Sequence, residues 1–174
     1  MSRMVREEAA SGLRERHWFA RVMLRQLQGA ADAPRAEQLA LRAAVVFHLY
    51  SVLVGVLRQA AAGIGRGESV NSMLSLPAML EALADTPCPE AGLIAEALAS
   101  HQDPVAWLHG EMMAACAASG LSRRPQPPAE EDALALRAED PYQLLADGDL
   151  SRLQAAVDRV HTLLDDVGGH NQEW

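Results

Sequence analysis

The sequence predicts an all-α protein, a helical bundle of five to six helices built on a long N-terminal antiparallel helical hairpin. Three observations lead there. Ala and Leu dominate, aromatics make up 4% of the 174 residues, and no segment alternates β-branched and polar residues as a half-buried strand does. Apolar positions recur at spacings of three, four and seven. The stretch from Leu39 to Leu57, LALRAAVVFHLYSVLVGVL, is apolar almost all the way round a helical wheel, interrupted only by Arg42, His48, Ser51 and Gly55. A helix of that kind has to be enclosed, because so much apolar surface cannot be left against water.

Lipid is one possible enclosure. The uninterrupted core, Ala43 to Leu57, is bracketed by Arg42 and Arg58 and would span roughly 22 Å, short of the roughly 30 Å hydrocarbon layer. His48 would sit near the bilayer centre, where ionisable groups are costly. Several other amphipathic segments are available to cover the helix, so the expectation is a soluble protein with no membrane partner.

The first helix is expected from about Arg3 to Gln28, ending at Gly29. Leu13, His17, Ala20, Leu24 and Leu27 form its apolar stripe. Arg14, Arg21 and Arg25 lie on a neighbouring face. Phe19, Val22 and Met23 fall off the stripe, so the apolar arc is wider than one contact needs and implies a second surface. After the turn GAADAP, Pro34 sits where a helix start tolerates it, and the second helix runs to about Ala62. The short turn between two long helices predicts the antiparallel pairing. GIGRGES ends the second helix.

Ser75 is expected to cap a short helix carrying Pro77 in its first turn and ending near Ala84. TPCPE is a turn, and Pro89 opens a helix to about Ser100. Asp103-Pro104 repeats the cap-plus-proline pattern and opens another, through about Ala118 and stopped by Gly120. Leu93, Ala97, Trp107, Leu108 and Met112 are the inward residues expected there. SRRPQPPAEED, residues 122–132, reads as a connector with an acidic continuation and one helical turn at Ala133 to Arg137. The last helix follows Asp149, whose carboxylate is placed to cap it, and ends at Gly168-Gly169. The domain is thus single: a bundle core over 1–121, a Pro-rich acidic connector over 122–148, and a C-terminal helix over 149–168 that packs back.

The net charge of −8 is unevenly spread. Residues 1–66 carry ten Arg against five acids, a net of +5, and residues 67–174 carry five Arg against eighteen acids, a net of −13. The split suits contact between unlike halves of two copies and argues against the acidic part tracking phosphates; simple solvated faces of different sign would look the same. Every basic residue is Arg. MSRMVREEAASGLRERHW lacks the apolar stretch of a secretory signal, and Cys88 and Cys116 have neither zinc-type spacing nor the density of a disulfide scaffold. A reducing, cytoplasmic setting follows.

His48 is the polar residue of most interest, lying beside Ala44, Ser51 and Gly55, the small stripe of the second helix along which a neighbouring backbone can approach. It either bonds within the bundle or faces water, or it serves with His17 and Tyr50 as a ligand or proton-transfer group in a bundle cavity. Two histidines alone make a poor metal site, and Asp158-Arg-Val-His161 is a lone near miss to the Glu-x-x-His unit of di-metal bundles, so no metal and no cofactor are expected. Arg42 and His48 match the Arg-x(4–6)-His spacing of a family of helical ribonucleases. Six residues along a straight helix separate two side chains by about 120°, so these would not converge. GIGRG follows a helix rather than a strand and lacks a Gly-Lys-Ser/Thr ending, so it is helix punctuation. Arg14, Arg21 and Arg25 with Trp18 form either a basic aromatic patch or a solvated face, and the overall negative charge favours the latter over nucleic-acid binding.

HWFARVMLRQL (17–27), FHLYSVLVGVL (47–57), DPVAWLHGEMMAA (103–115) and the closing Trp174 together resemble an uncharacterised family of small all-helical bacterial proteins, a domain of unknown function. The resemblance rests on apolar patterns, implies no activity and carries over no functional residue.

With no catalytic constellation in view, the leading expectation is a non-enzymatic cytoplasmic interaction protein that contacts a protein partner, or a second copy as a homodimer, through Trp18, Phe19 and Val22. A small-molecule-binding bundle with a cavity near His17, His48 and Tyr50 is the alternative, and a ribonuclease using Arg42 and His48 the last.

Overall fold

The computed structural model describes residues 3–116 and 149–170, with side chains over 11–116 and 149–168. Its elements are α1 (Arg3–Gly29), α2 (Arg35–Gly63), α3 (Gly67–Val70), α4 (Leu76–Leu83), α5 (Pro89–Ala99), α6 (Pro104–Cys116) and α7 (Asp149–His170), with no strand among the described residues. The protein is an all-α bundle. It has one helix more than the five to six expected, because GIGRGES is not only a break: its second half winds into the single turn α3, which buries Val70 completely. Gly65, at φ 76°, supplies the left-handed residue that ends α2 just before it.

α2 is the axis of the bundle and touches each of the other six helices. Val45, Val46, Leu49, Val52, Leu53, Val56 and Leu57 are all but sealed from solvent. The apolar run does what its composition requires: it is sheathed by neighbouring helices rather than by one face of a sheet. The helix itself is 29 residues long, so length alone does not set it apart from a membrane span. It is the one described helix long and apolar enough to cross a bilayer, and half of its apolar window is buried inside the bundle.

α1 packs along α2. Leu13 lies against Gly55, Arg16 donates to the Ser51 carbonyl (3.3 Å), and the Phe19 ring meets His48. Partner numbers fall as α1 numbers rise, so the pair is antiparallel. Gln38 closes the intervening turn from within α2, its amide reaching back to the carbonyls of Ala30, Ala31 and Ala33 at 3.0, 3.1 and 3.0 Å.

The expected Ser75 cap does not form: Ser75 occupies the N-cap position without a side-chain bond. The first two positions of α4 need no such cap, since Pro77 has no N–H and the Leu76 amide donates to the Tyr50 hydroxyl (3.2 Å). Asp103 does cap α6, its Oδ1 accepting the Val105 amide at 2.9 Å, while its Oδ2 accepts from Arg159 Nε at 2.9 Å and so ties α6 to α7. α7 packs against α1, α2 and α6 through Leu153, Ala156, Val157, Val160, Leu163 and Leu164. The connector over 122–148, its helical turn at 133–137, the end of the α6 segment beyond Cys116, and Trp174 lie outside the described residues.

Candidate functional site

The helical wheel of α2 sends its polar residues in separate directions. Tyr50 points into the bundle and is 2% exposed; its hydroxyl donates to the Leu74 carbonyl (2.9 Å) and accepts from the Leu76 amide. A hydroxyl has one proton, so the 3.2 Å contact with His109 Nδ1 is donated by the imidazole, whose ring stacks on Tyr50 at 5.9 Å. Burial raises the Tyr50 pKa. Its polar end is thus spent on joining α2 to the segment before α4 and to α6.

His17 looks the other way, across the α1–α7 contact. Nε2 donates to the Val157 carbonyl at 3.0 Å, and the ring stacks on His161 with centroids 5.3 Å apart. Burial lowers its pKa; the bond to Val157 opposes this in part, and the charges of His161 and Arg21 reinforce it. The Asp158–His161 pair is engaged elsewhere: Asp158 accepts from Gln154 (2.9 Å), and His161 Nε2 lies 3.5 Å from Asp165. No group of three metal-ligating side chains occurs among the described residues.

His48 is half-buried on the outer side of the hairpin, between Phe19 (5.6 Å) and Phe47 (5.7 Å). Desolvation lowers its pKa, with a contribution from Arg16. His17, His48 and Tyr50 therefore face three different neighbourhoods and do not line a common space. A cleft of about 130 Å³ does open between α1 and α7, but Arg21, Leu24, Arg25, Gln28, Gln154 and Val157 line it.

Arg42 and His48 also part. Arg42, 1% exposed, is directed at α6 and α7: Nε and Nη2 donate to the two carboxylate oxygens of Asp149 (Nη2–Oδ1 3.0 Å), and Nη2 donates to Glu111 Oε2 at 2.8 Å. The guanidinium lies 5.9 Å from the Trp107 ring centroid. Burial would lower its pKa, but the bond and charge of Asp149 and the charge of Glu111 outweigh that, so the net shift is upward and Arg42 is a fixed cation. The sequence reading treated Arg42 as an interruption and Asp149 as a cap; the structure makes them one buried ion cluster. A lone Arg inside an apolar helix was the available signal, because a buried charge demands partners.

The remaining feature is apolar and outward. Trp18 is 50% exposed, Phe19 40% and Phe47 55%. Phe19, His48 and Phe47 form a continuous row of rings across α1 and α2, while Trp18 carries the Arg21 guanidinium 5.8 Å from its ring. Val22, between Trp18 and Phe19 on the wheel, is half-buried. This row leaves the central helix bare at Phe47, the one exposed large apolar side chain of α2. Phe47 belongs to the surface together with Trp18, Phe19 and Val22; the sequence reading placed it within the enclosed run.

No family model, no curated protein and no solved structure matches the chain.

Proposed function

We propose that the protein is a non-enzymatic helical interaction protein of the cytoplasm that self-associates through the outer face of α1 and the adjoining strip of α2. The observation that carries this reading is the group of solvent-exposed aromatic rings, Trp18, Phe19 and Phe47, on α1 and α2; the other exposed large apolar side chains among the described residues are Ile64, Leu74 and Leu150. Large exposed rings grouped on one face are costly in isolation and are the residue types that anchor protein contacts. The polar residues support the same reading from the other side: the acids and bases with internal partners (Arg42, Asp149, Glu111, Asp103) hold helices together. None of them converges on an accessible cleft in the way an acid–base or nucleophilic site requires.

Light scattering tests it. The wild-type chain should elute at a multiple of its 18.7 kDa mass, and Phe19→Asp should shift toward that single-chain mass with unchanged helicity in circular dichroism. A folded Phe19→Asp variant that keeps the wild-type mass removes this face from the contact.

A further inference from the structure

On the outer face of α1, Glu15, Trp18, Val22 and Arg25 follow one another at spacings of three, four and three residues. That spacing keeps four side chains on one seam of a helix, the pattern by which two helices pack side by side. The seam lies away from the buried stripe of Leu13, His17, Ala20, Leu24 and Leu27. Glu15, Trp18 and Arg25 are exposed and Val22 is half-buried. Glu15 and Arg25 make no ion pair within the described residues. They cannot pair with each other either, because ten residues of helix separate them by about 15 Å. The other arginines of α1 whose side chains are described are engaged: Arg14 with Asp165 (3.4 Å), Arg16 with the Ser51 carbonyl (3.3 Å), and Arg21 with the Trp18 ring.

We propose that the occupant of this face is a second copy of the chain, docked antiparallel about a two-fold axis at the level of Ala20. Each Glu15 then meets an Arg25, and each Trp18 meets a Val22. The inference rests on the self-association reading above and gives it an orientation. A two-fold contact is self-complementary, so any pairing it makes is made twice. About Ala20 the numbers of paired residues are symmetric: Glu15 and Arg25 stand five positions to either side, Trp18 and Val22 two. A parallel contact would instead set Glu15 against Glu15 and Arg25 against Arg25, like against like. The apolar centre with one acid at one end and one base at the other thus selects the antiparallel arrangement. Phe19 and Phe47 flank the seam and extend the covered area onto α2.

Charge reversal tests the pairing. Sedimentation equilibrium is run on wild type, Glu15→Arg, Arg25→Glu and an equimolar mixture of the two variants, with circular dichroism confirming helicity in each. Each reversal replaces two attractive contacts with two repulsive ones, so each variant alone should self-associate at least about tenfold more weakly than wild type. The mixture restores both unlike contacts and should recover the wild-type dimer. Variants that dimerise like wild type, or that weaken without rescue in the mixture, overturn the antiparallel seam while leaving self-association standing. A wild-type chain that stays at single mass at high concentration overturns self-association itself.

Discussion

Arg42 and Asp149, 107 residues apart in the chain, fasten α2 to the first turn of α7 through a two-point contact closed to solvent. Glu111 joins from α6, so three helices meet on one guanidinium. Removing Asp149 leaves a buried cation with one partner, the situation in which breaking an ion pair costs most. Asp149→Ala should lower the unfolding free energy by about 3–5 kcal/mol in urea titrations. Arg42→Met combined with Asp149→Leu and Glu111→Leu, which removes all three charges of the cluster and keeps apolar volume, should recover most of the loss. A single Asp149→Ala variant within about 1 kcal/mol of wild type would contradict the role given to the pair.

Gly55 of α2 makes room for the Leu13 side chain of α1. A Cβ built there overlaps Leu13 Cδ2, and Leu13 is itself buried in the core. In an unobstructed helix, Gly→Ala gains about 1 kcal/mol. Here the overlap should cost about 1–3 kcal/mol and make Gly55→Ala destabilising overall. In a Leu13→Ala background the obstruction is gone, and the same change should become stabilising. Thermal unfolding of the four proteins reads the reversal of sign; the same sign in both backgrounds would locate the close approach elsewhere.

These two contacts divide what was legible in the sequence from what was not. The stripe Ala44, Ser51, Gly55 announced a close neighbour because small residues at helical spacing leave room, and Gly55 against Leu13 is that neighbour. The enclosure of Val45, Val46, Leu49, Val52, Leu53, Val56 and Leu57 was likewise legible from composition, whereas the opening at Phe47 was not. The partners of Arg42 were not legible. Periodicity gives the face a residue occupies on its own helix, but the rotation of α6 and α7 about their axes is decided by packing, and Glu111 and Asp149 arrive from 69 and 107 residues away. His17, His48 and Tyr50 share the same lesson: spacing along each helix allows them a common cavity, yet the rotation of each helix sends them to Val157, Phe19 and Leu74. α3 is not legible because GIGRGES, with three glycines in seven residues, reads as a break, and only the burial of Val70 shows why its end winds into a turn.

The Tyr50 hydroxyl serves three groups at once, and the Leu76 amide that it satisfies belongs to a fully buried residue. Tyr50→Phe keeps the ring and strands the Leu76 donor and the Leu74 acceptor. Stability should fall by about 1–3 kcal/mol. Amide hydrogen exchange should report it locally, with faster exchange at Leu76 and the start of α4 than in α1 or α7. Unchanged protection at Leu76 would mean the hydroxyl is dispensable to that segment.

His17 makes stability depend on pH, and the sign follows from its lowered pKa. Its neutral ring donates to Val157, and it faces His161, Asp158 and, from its own helix, Arg21. The folded state binds a proton at this site less readily than the unfolded chain, whose histidine titrates near 6.5. Its contribution is therefore fully present above about pH 6.5 and is lost as the pH falls from there toward the lower folded value. His48 and His109 are lowered mainly by desolvation and add slopes of the same sign. Wild-type protein should unfold at a lower temperature at pH 5.5 than at pH 7.5. His17→Leu gives up the Val157 bond and so starts from a lower melting temperature, yet it should lose less on acidification than wild type does. An acid-induced decrease of equal size in both proteins would show that His17 enters the folded and unfolded states with the same proton affinity, contrary to its burial between α1 and α7.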